Sequence, residues 1–435
     1  MRLFLLYKRR WWLFYAPILL CAVAVLWVSA THWYPLPPTT AVIAAGSAEG
    51  SFARLAQRYA QKLESIGINV DIVYSGSKNN TGSELERLLL PMDIARIGFA
   101  HGIYARSASG LQALAVIDNE PVWIFSTLNG PDTFRQAAGA RIAAGSATSP
   151  SFLATRLMLA HAGVRESDVR FQPQVDMAAG QALVNGQVDV VVVTAGYEAP
   201  LVQMLTRQGG VQILGVEQAA TLAARQSVLQ PLLLPEGSLE LGNNLPSRDV
   251  TMASLQTHLL IKPDVHPALQ RALLDAATEL HEEPTFLQRH GQFPTYSTSD
   301  FPLSPTARAY SLGHRPLLET LLPYRKAQWA ELLLFAVLPI LTMTFLILAW
   351  IPKLFDWRVN SSLHHFYGDL KFLEGEMQTV AATNPMALRA LIERLDAIEQ
   401  RVVKMELPDA FSDRWYTLRQ HLSAAQERMF KLRSR

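Results

Sequence analysis

The fold is decided by the stretch IAAGSA at 43–48, which the chain repeats without change at 142–147. In each copy an apolar run of strand length enters a Gly-Ser turn, and a helical pattern follows at 51–67 and at 153–163. The first N–H groups of a helix have no intrahelical partner and lie at the positive end of its dipole, so each junction can cradle an anion. Two cradles in one region predict two lobes that face each other across a cleft.

Apolar runs alternate with helical patterns through this region, which is typical of βαβ units and a parallel sheet. The pattern predicts strands at 41–45, 69–76, 92–100, 169–174, 188–196 and 256–262, and helices at 51–67, 153–163, 177–187 and 266–280. The polar stretch 118–121 separates the apolar runs 111–117 and 122–128. We therefore expect the backbone to cross between the lobes near 118–124 and to return within 225–256, and two crossings form a hinge.

The composition limits the possible classes of protein. At 435 residues the chain is longer than one compact domain, and 49% hydrophobic against 17% charged residues favours membrane segments beside a soluble domain. A net charge of +2 argues against nucleic-acid binding as the main role. The single cysteine, Cys21, excludes an intramolecular disulfide and any site built from several cysteines.

Two uncharged apolar stretches, 11–29 and 332–351, are each near the roughly 20 residues that cross a bilayer. Basic residues precede the first stretch, so the N-terminus is expected to stay in the cytoplasm. We predict a cytoplasmic N-terminus at 1–10, transmembrane helices at 11–33 and 332–351, a linker at 34–40, an extracytoplasmic domain at 41–331 and a cytoplasmic helical tail at 352–435. Lobe 1 is predicted at about 41–118 and 250–325, and lobe 2 at about 122–225.

Three alternatives concern these apolar stretches. Ser29 lies in a sequence that resembles a signal-peptidase site, although the apolar run is long for a signal peptide. Cys21 could be a lipoprotein cysteine, but it follows Leu20 rather than a small residue. Pro339 could make the second stretch a buried helix, yet membrane helices tolerate proline. Two spans, in the inner membrane of a bacterium with the main domain in the periplasm or outside, remain the prediction.

An ordered series of motifs resembles the TAXI-type solute receptors of TRAP transporters over roughly 40–325. After the first Gly-Ser turn and helix come SGSKNN at 75–80 and MDIA at 92–95. The second lobe continues with AGS at 144–146, AGV at 162–164 and ALVNGQVD at 182–189, and FPL at 301–303 and LPY at 322–324 close the series. The resemblance rests on this order rather than on any single motif.

The resemblance implies an α/β, two-lobed type II periplasmic-binding-protein fold that holds a small anionic ligand, often a carboxylate, between its lobes. Two departures from the family bear on the ligand. Glu49 stands beside the first cradle, where the family tends to place more glycine and a tyrosine pair, and Arg96 interrupts a strand that is usually apolar. Most members are secreted free, whereas this chain is expected to be anchored at both ends.

Ten residues are candidates for ligand binding: Gly46, Ser47, Ser77, Asn80, Gly145, Ser146, Ser149, Ser151, Thr194 and Tyr197. The two Gly-Ser pairs offer N–H and hydroxyl donors, or serve only as turn formers. The serines at 149 and 151 can bind the same ligand or cap the helix that follows, with Pro150 in its first turn. These two roles are compatible.

The remaining candidates lie at predicted strand ends. Ser77 and Asn80 follow a strand of an open α/β sheet, where ligands usually bind, or form an ordinary polar loop. Thr194 and Tyr197 end an apolar strand and either reach the cleft or pack in the core. His101 is a weaker candidate, as is Phe99. A fixed cation would suit an anion, but the spacing selects none of Lys78, Arg96 and Arg156.

Enzyme motifs are incomplete in this sequence, and we expect no enzyme. Ser75 and Lys78 have the Ser-x-x-Lys spacing of penicillin-binding enzymes, but neither Ser-Asp-Asn nor Lys-Thr-Gly follows. The sequence has no Gly-x-Ser-x-Gly, no His-Glu-x-x-His and no P-loop. His281 and the two acids after it lack the second histidine that zinc would need one turn later. No metal and no cofactor are predicted.

The tail at 352–435 is a separate module with helical patterns at 362–380, 385–405 and 409–433. An apolar stripe at helical spacing in the second pattern predicts a helical hairpin or a coiled coil, formed by Leu388, Leu391, Ile392, Leu395, Ile398 and Val402. The stripe serves self-association or packing, or contacts a transporter subunit or a signalling partner.

The predicted function is a membrane-anchored extracytoplasmic solute-binding protein that captures a small anionic solute by hinge closure. It would pass the solute to the permease subunits of a TRAP-type transporter, and nucleic acid is not a partner. The alternative is a tethered sensor, in which closure of the cleft acts through the second membrane helix on the cytoplasmic tail.

Overall fold

In the computed structural model, the residues described are 2–33, 35–47, 50–75, 95–107, 110–297, 300–380, 385–405 and 411–433. An α/β unit comprises Pro35–Glu331, and the N-terminal and C-terminal segments form a second unit. The predicted α/β class is confirmed, since the first unit is a mixed sheet covered by helices.

The sheet consists of β1 Thr40–Ser47, β2 Asn69–Ser75, β3 Ile97–His101, β4 Gln112–Thr127, β5 Arg141–Ala143, β6 Arg170–Gln172, β7 Val190–Thr194, β8 Val211–Ile213, β9 Leu229–Leu234 and β10 Val250–Ile261. Its strand order is β2-β1-β3-β10-β4-β7-β5-β6, with β8 paired to β4 and β9 paired to β10. The two IAAGSA copies give β1 and β5. Each lies between two parallel neighbours, β2 and β3 for the first and β6 and β7 for the second.

Strands β4 and β10 run antiparallel through the middle of the sheet and connect its two halves. Their register extends from Gln112 opposite Ile261 to Val122 opposite Ala253. The polar stretch 118–121, which separates two apolar runs in the sequence, lies inside the single strand β4. Two long paired strands therefore connect the halves.

Helices cover both halves. In chain order after the N-terminal helix α1 they are α2 Ser51–Ser65, α3 Pro150–Ala162, α4 Asp176–Val184, α5 Pro200–Arg207, α6 Ala219–Arg225, α7 Pro267–His281, α8 Pro305–Ser311 and α9 Leu317–Leu321. The first half, which we call lobe 1, packs α2 and α7 around a core that contains Ile43 and Phe99. The second half, lobe 2, packs around a core that contains Ile142 and Val190.

Most predicted elements occur with shifted ends. The helix predicted at 51–67 ends at Ser65, the strand predicted at 169–174 shortens to β6, and the strand predicted at 92–100 is β3, with 92–94 outside the described residues. Between β7 and β10 the sequence pattern predicts no elements. There the structure contains α5, β8, α6 and β9.

The second unit contains both apolar stretches. Helix α1 spans Arg2–Val28 and continues as a π-helical turn at Ser29–Trp33. Helix α10, Tyr324–Leu332, which begins in the α/β unit, continues through a π-helical turn at Leu333–Val337 into α11, Leu338–Val380. Two stretches, Tyr15–His32 and Tyr324–Ile351, are long and apolar enough to cross a membrane.

The C-terminal region is helical, as predicted. The end of α11 packs with α12, Pro385–Val403, and α13, Ser412–Arg433, around one apolar core. Five of the six residues of the predicted stripe are buried, and Ile392 is partly buried against the same core. The helix predicted at 362–380 is the end of the longer helix α11.

We expect Leu395→Ala to unfold the helical core selectively. Leu395 is fully buried in that core, so its truncation removes apolar contacts and should lower the stability of the three-helix core by about 2–5 kcal/mol. Val403→Ala is the matched control, because Val403 is half-exposed in the same helix. Limited proteolysis of the full chain should cut the Leu395→Ala tail faster while the α/β unit stays intact; equal cleavage of both variants would contradict the packing.

Candidate functional site

A cavity of about 540 Å³ lies between the two lobes of the α/β unit. It is lined by the first turns of α2 and α3 and by the ends of β3 and β7, with the residues Ser51, Phe52, His101, Tyr104, Glu120, Gly145, Ser146, Ser149, Ser151, Asp176 and Thr194 among them. This volume is typical of a small-molecule site. The cavity is therefore the candidate site, at the position where the repeated junctions predict a cleft.

The junction between β5 and α3 forms the lobe 2 wall. Gly145 has a φ of +80°, which only glycine adopts without strain, and a Cβ there would meet Ser149 Oγ at 2.8 Å. Ser149 Oγ caps α3, since it accepts a hydrogen bond from Phe152 N–H (3.2 Å) and donates one to Ala144 O (3.0 Å). Gly145 and Ser149 thus fix the direction in which α3 points its N-terminus at the cavity.

Ser151 and Thr194 join the same wall to the end of β7. Thr194 N–H donates to Ser151 Oγ at 2.9 Å. The Thr194 hydroxyl is buried, and no hydrogen-bond partner for it is present in the described part of the chain. A buried hydroxyl without a partner is costly, and a bound ligand would relieve that cost.

The lobe 1 wall contains a buried carboxylate that is hydrogen-bonded to a histidine. Glu120, on β4, lies 2.5 Å from His101 Nε2 at the end of β3, and both side chains are almost fully buried. The Ser51 hydroxyl and the Gly196 N–H also donate to this carboxylate. Burial alone would raise the pKa of Glu120, but these hydrogen bonds and the charge of His101 outweigh it and hold the pKa below its usual range.

A second cavity of about 590 Å³ shares Ser51, Phe52 and Glu120 with the first one. Its lining includes two arginines, Arg54 and Arg58, and Asp118, a second acid on β4. Burial and the neighbouring charge of Glu120 raise the pKa of Asp118 to about 6. Glu120 therefore stands in the wall that both cavities share.

Two contacts between the lobes close the space around these cavities. The Tyr104 hydroxyl of lobe 1 donates to Thr148 O of lobe 2 at 2.8 Å. Arg54 at the start of α2 pairs with Glu198, which follows β7, at 3.5 Å. The two lobes are therefore in contact beside the cavities.

The structure brings half of the predicted site residues together. Gly145, Ser146, Ser149, Ser151 and Thr194 line the first cavity, and Tyr197 lines the second. The ring of Tyr197 also packs edge-on against Phe286, and its hydroxyl donates to Leu239 O.

The other predicted site residues lie elsewhere. Gly46 is buried within β1, Ser47 ends the same strand opposite Ser75, and Ser77 and Asn80 lie outside the described residues.

Two of the candidate cations, Arg96 and Arg156, do not line the cavity. Arg96 pairs with Asp264 and Arg156 with Glu166, and these pairs are at least half-exposed. Lys78 lies outside the described residues. A fixed cation from this set is therefore absent from the lining that the described residues form.

Sequence reasoning missed Glu120 entirely and ranked His101 low. One signal was present, because an acid between two apolar strand runs must find partners if the strand is buried. The identity of the partner could not be read, since nineteen positions separate His101 from Glu120 and only the sheet brings them together.

Comparisons with known proteins identify one family and several similar solved structures. The sequence model of the family described as "ABC transporter, phosphonate, periplasmic substrate-binding protein" matches residues 64–297, more than half of the chain. No curated protein matches. The periplasmic aliphatic sulphonate binding protein SsuA from Escherichia coli is 16% identical, with a TM-score of 0.37, over 56% of this chain and 72% of that one.

Two further solved structures match over most of their own length. A TctC solute binding protein from Polaromonas is 16% identical, with a TM-score of 0.38, over 58% of this chain and 87% of that one. The alkanesulfonate-binding protein SsuA from Xanthomonas axonopodis pv. citri, bound to MOPS, is 16% identical, with a TM-score of 0.35, over 70% of this chain and 94% of that one.

We expect Asp118→Asn to stabilise the protein near neutral pH. The folded chain keeps the Asp118 proton up to about pH 6, whereas the unfolded chain releases it near 3.8. The stability that belongs to the protonated form is complete below 3.8 and is lost as the pH rises to about 6. An amide cannot ionise, so the free energy of unfolding at pH 7 should rise by roughly 1–3 kcal/mol.

Denaturant titrations between pH 3.5 and 8 test this prediction. The stability curves of wild type and Asp118→Asn should converge at the acid end and separate as the pH rises. Asp264→Asn is the control, since Asp264 is exposed in lobe 1. Curves of wild type and Asp118→Asn that stay parallel across the range would contradict a buried acid at this position.

Proposed function

The chain belongs to the family of periplasmic substrate-binding proteins of phosphonate-type ABC transporters, and from that premise we propose that it is a membrane-anchored receptor whose lobes close over a small anionic solute. The observation that carries the proposal is the pair of helix N-termini, those of α2 and α3, at one cavity. Both dipoles favour negative charge in the same space.

Anion binding here would rest on dipoles and hydrogen bonds. Among the described residues that line the first cavity there is no lysine and no arginine. The donors on offer are the N–H groups of the first turn of α3, the turn at Gly145 and the hydroxyl of Thr194. Two acids, Glu120 and Asp176, also line this cavity, and the Glu120 carboxylate is already bound by three donors.

Hinge closure is the proposed mechanism of capture. The support is that strands β4 and β10 connect the lobes and that Tyr104 and Arg54 make contacts from lobe 1 to lobe 2. A ligand held between α2 and α3 would add its own hydrogen bonds to both lobes. It would thereby shift the equilibrium towards the closed form.

Membrane anchoring follows from the two apolar stretches, Tyr15–His32 and Tyr324–Ile351. We propose that both cross the inner membrane of a bacterium, with the α/β unit in the periplasm and the C-terminal helices in the cytoplasm. The excess of basic residues before the first stretch supports this orientation.

The permease partner is proposed to be of the TRAP type. The support is the order of motifs from 75–80 to 182–189, which resembles TAXI-type receptors. The matching family is defined by ABC transporters, so the permease that co-purifies with the full chain from mild detergent decides between the two. TRAP membrane subunits would support the proposal, and an ABC permease with its ATPase would replace it.

A tethered sensor is the second candidate function, and one observation favours it. Helix α11 runs without interruption from the apolar stretch into the core that it forms with α12 and α13. A continuous helix can pass a displacement from the membrane to a packed bundle.

We expect Gly145→Ala to weaken ligand binding at least tenfold. The new Cβ would meet Ser149 Oγ and displace the cap of α3, while its positive φ would cost about 1 kcal/mol of stability. Gly163→Ala is the matched control, because Gly163 has a φ of +79° at the other end of α3 with open space around its Cα. It should lose the same stability and keep full affinity.

The ligand for this comparison comes from a thermal-shift panel of succinate, 2-oxoglutarate, glutamate, methylphosphonate and ethanesulfonate with the full chain. A bound anion should raise the melting temperature. Equal loss of affinity in both glycine variants would show that Gly145 acts through stability alone, and a panel without any shift would count against the proposed solute class.

Removal of 352–435 separates transport from sensing. A receptor that only delivers solute should support uptake without the tail, since the tail lies outside the α/β unit. A sensor should keep ligand binding but lose the transcriptional or enzymatic response to that ligand. Loss of uptake together with the tail would argue that α12 and α13 contact the permease.

A further inference from the structure

The α/β unit is connected to the two apolar stretches at its first and last residues, and we call these two connections its tethers. Both tethers leave from the same edge of lobe 1. Pro35, the first residue of this unit, accepts a hydrogen bond through its carbonyl from His266 Nε2 at 3.0 Å. His266 caps the N-terminus of α7. One turn further, Arg271 binds both carboxylate oxygens of Glu319, which lies five residues before Tyr324 and the second apolar stretch. The start of α7 is therefore the point at which both chain ends arrive.

This edge is opposite the candidate site. Strands β1 and β2 begin here, with Thr40 opposite Asn69, and a Cβ on Gly67 would lie 3.7 Å from Arg325 Cδ. The cavity lies at the other end of lobe 1, beside the end of β3 and the first turn of α2.

Large apolar side chains point outward along the same edge. Leu317 and Leu321 are 79% and 78% exposed. Leu36 and Ile66, next to the starts of β1 and β2, are also exposed. We call these four residues the apolar rim. Isolated exposed leucines are ordinary, but a group of them beside two chain tethers is not.

Contacts of Glu319 on α9 with the rest of lobe 1 fix the position of the two rim leucines on this helix. Glu319 is bound by Arg271 and also accepts a hydrogen bond from Gln328 Nε2. Leu317 and Leu321, one helical turn apart, lie on the other side of this short helix. The partly buried ion pair of Arg271 and Glu319 therefore leaves both leucines on the outer side of this edge.

Charge at the rim fits a phospholipid surface. Arg325 and Lys326 follow Leu321 by four and five residues and are exposed. Apolar side chains flanked by basic ones are the composition of segments that lie in a membrane interface, where the apolar groups enter the acyl boundary and the cations meet phosphate.

We propose that the apolar rim docks on the outer surface of the membrane that the two apolar stretches enter, so that lobe 1 rests on the bilayer and its cavity faces away from it. The proposal rests on the membrane anchoring proposed above and adds a fixed orientation of the α/β unit. A protein held only by its two tethers would leave the rim in water.

Nitroxide accessibility in the full chain tests the contact. The chain is reconstituted into vesicles of phosphatidylethanolamine and phosphatidylglycerol, and a spin label is placed at Leu321→Cys in a Cys21→Ser background. Oxygen, which partitions into lipid, should collide with this label more often than a water-soluble nickel chelate does. Leu241→Cys, an 88% exposed leucine in the loop between β9 and β10 of lobe 2, should show the reverse order.

The native Cys21, labelled in the otherwise unchanged chain, reports on the anchoring itself. A Cys21 label in lipid with a Leu321→Cys label in water would overturn the docking and leave the anchoring intact. A Cys21 label in water would overturn the anchoring and the docking with it.

A second variant tests whether the rim residues, rather than the nearby tethers, determine the depth of the label in the membrane. Leu36→Gln with Leu317→Gln should move the label at Leu321→Cys towards the nickel chelate. The exposed Leu233→Gln in lobe 2 should leave it unchanged. An unchanged label in the double variant would show that the tethers alone set its depth, against the proposal.

Discussion

A carboxylate cannot stay buried in a sheet without donors around it, and Glu120 obtains its donors from both lobes. His101 comes from β3 and Ser51 from α2, both in lobe 1, whereas the N–H of Gly196 follows β7 in lobe 2. Removing one partner from such a buried pair costs about 3–5 kcal/mol. Glu120 lies on β4, the strand that connects the lobes. Its side chain therefore joins this strand to the first turn of α2 in lobe 1 and to the segment after β7 in lobe 2. The candidate cavity depends on all three.

Each repeated junction has a serine in the first turn of its helix, and the two serines make different hydrogen bonds. Ser51 donates to the hinge acid Glu120, and Ser151 accepts from the N–H of Thr194 at the end of β7. In both lobes the serine in the first turn of the helix is thus bonded to a strand at the mouth of the cavity. The duplication has a structural role before any ligand arrives, since it fixes the two helix N-termini that would attract an anion.

Local sequence was sufficient where local chemistry decides the structure. The apolar runs of β1 and β5, the Ser149 cap and the Gly163 end of α3 are all readable from neighbouring residues. The long connecting strand β4 could not be predicted in this way. Its residues 118–121 have the polar composition of a break between two strands, and they form the middle of one strand only because β10 pairs with them. The site divides in the same way. Gly145 and Ser149 follow from the turn, whereas the pairing of His101 with Glu120 exists only in the folded sheet.

The position of the tethers limits how such a receptor can work. Pro35 is bonded to His266 at the start of α7, and Tyr324 packs against the core of lobe 1, so both chain ends belong to that lobe. In the proposed hinge closure, lobe 2 would move relative to the tethers while lobe 1 stays with them. A permease that distinguishes a closed receptor from an open one would then have to contact lobe 2 or the seam between the lobes. The cross-lobe contacts of Tyr104 and Arg54 lie on that seam.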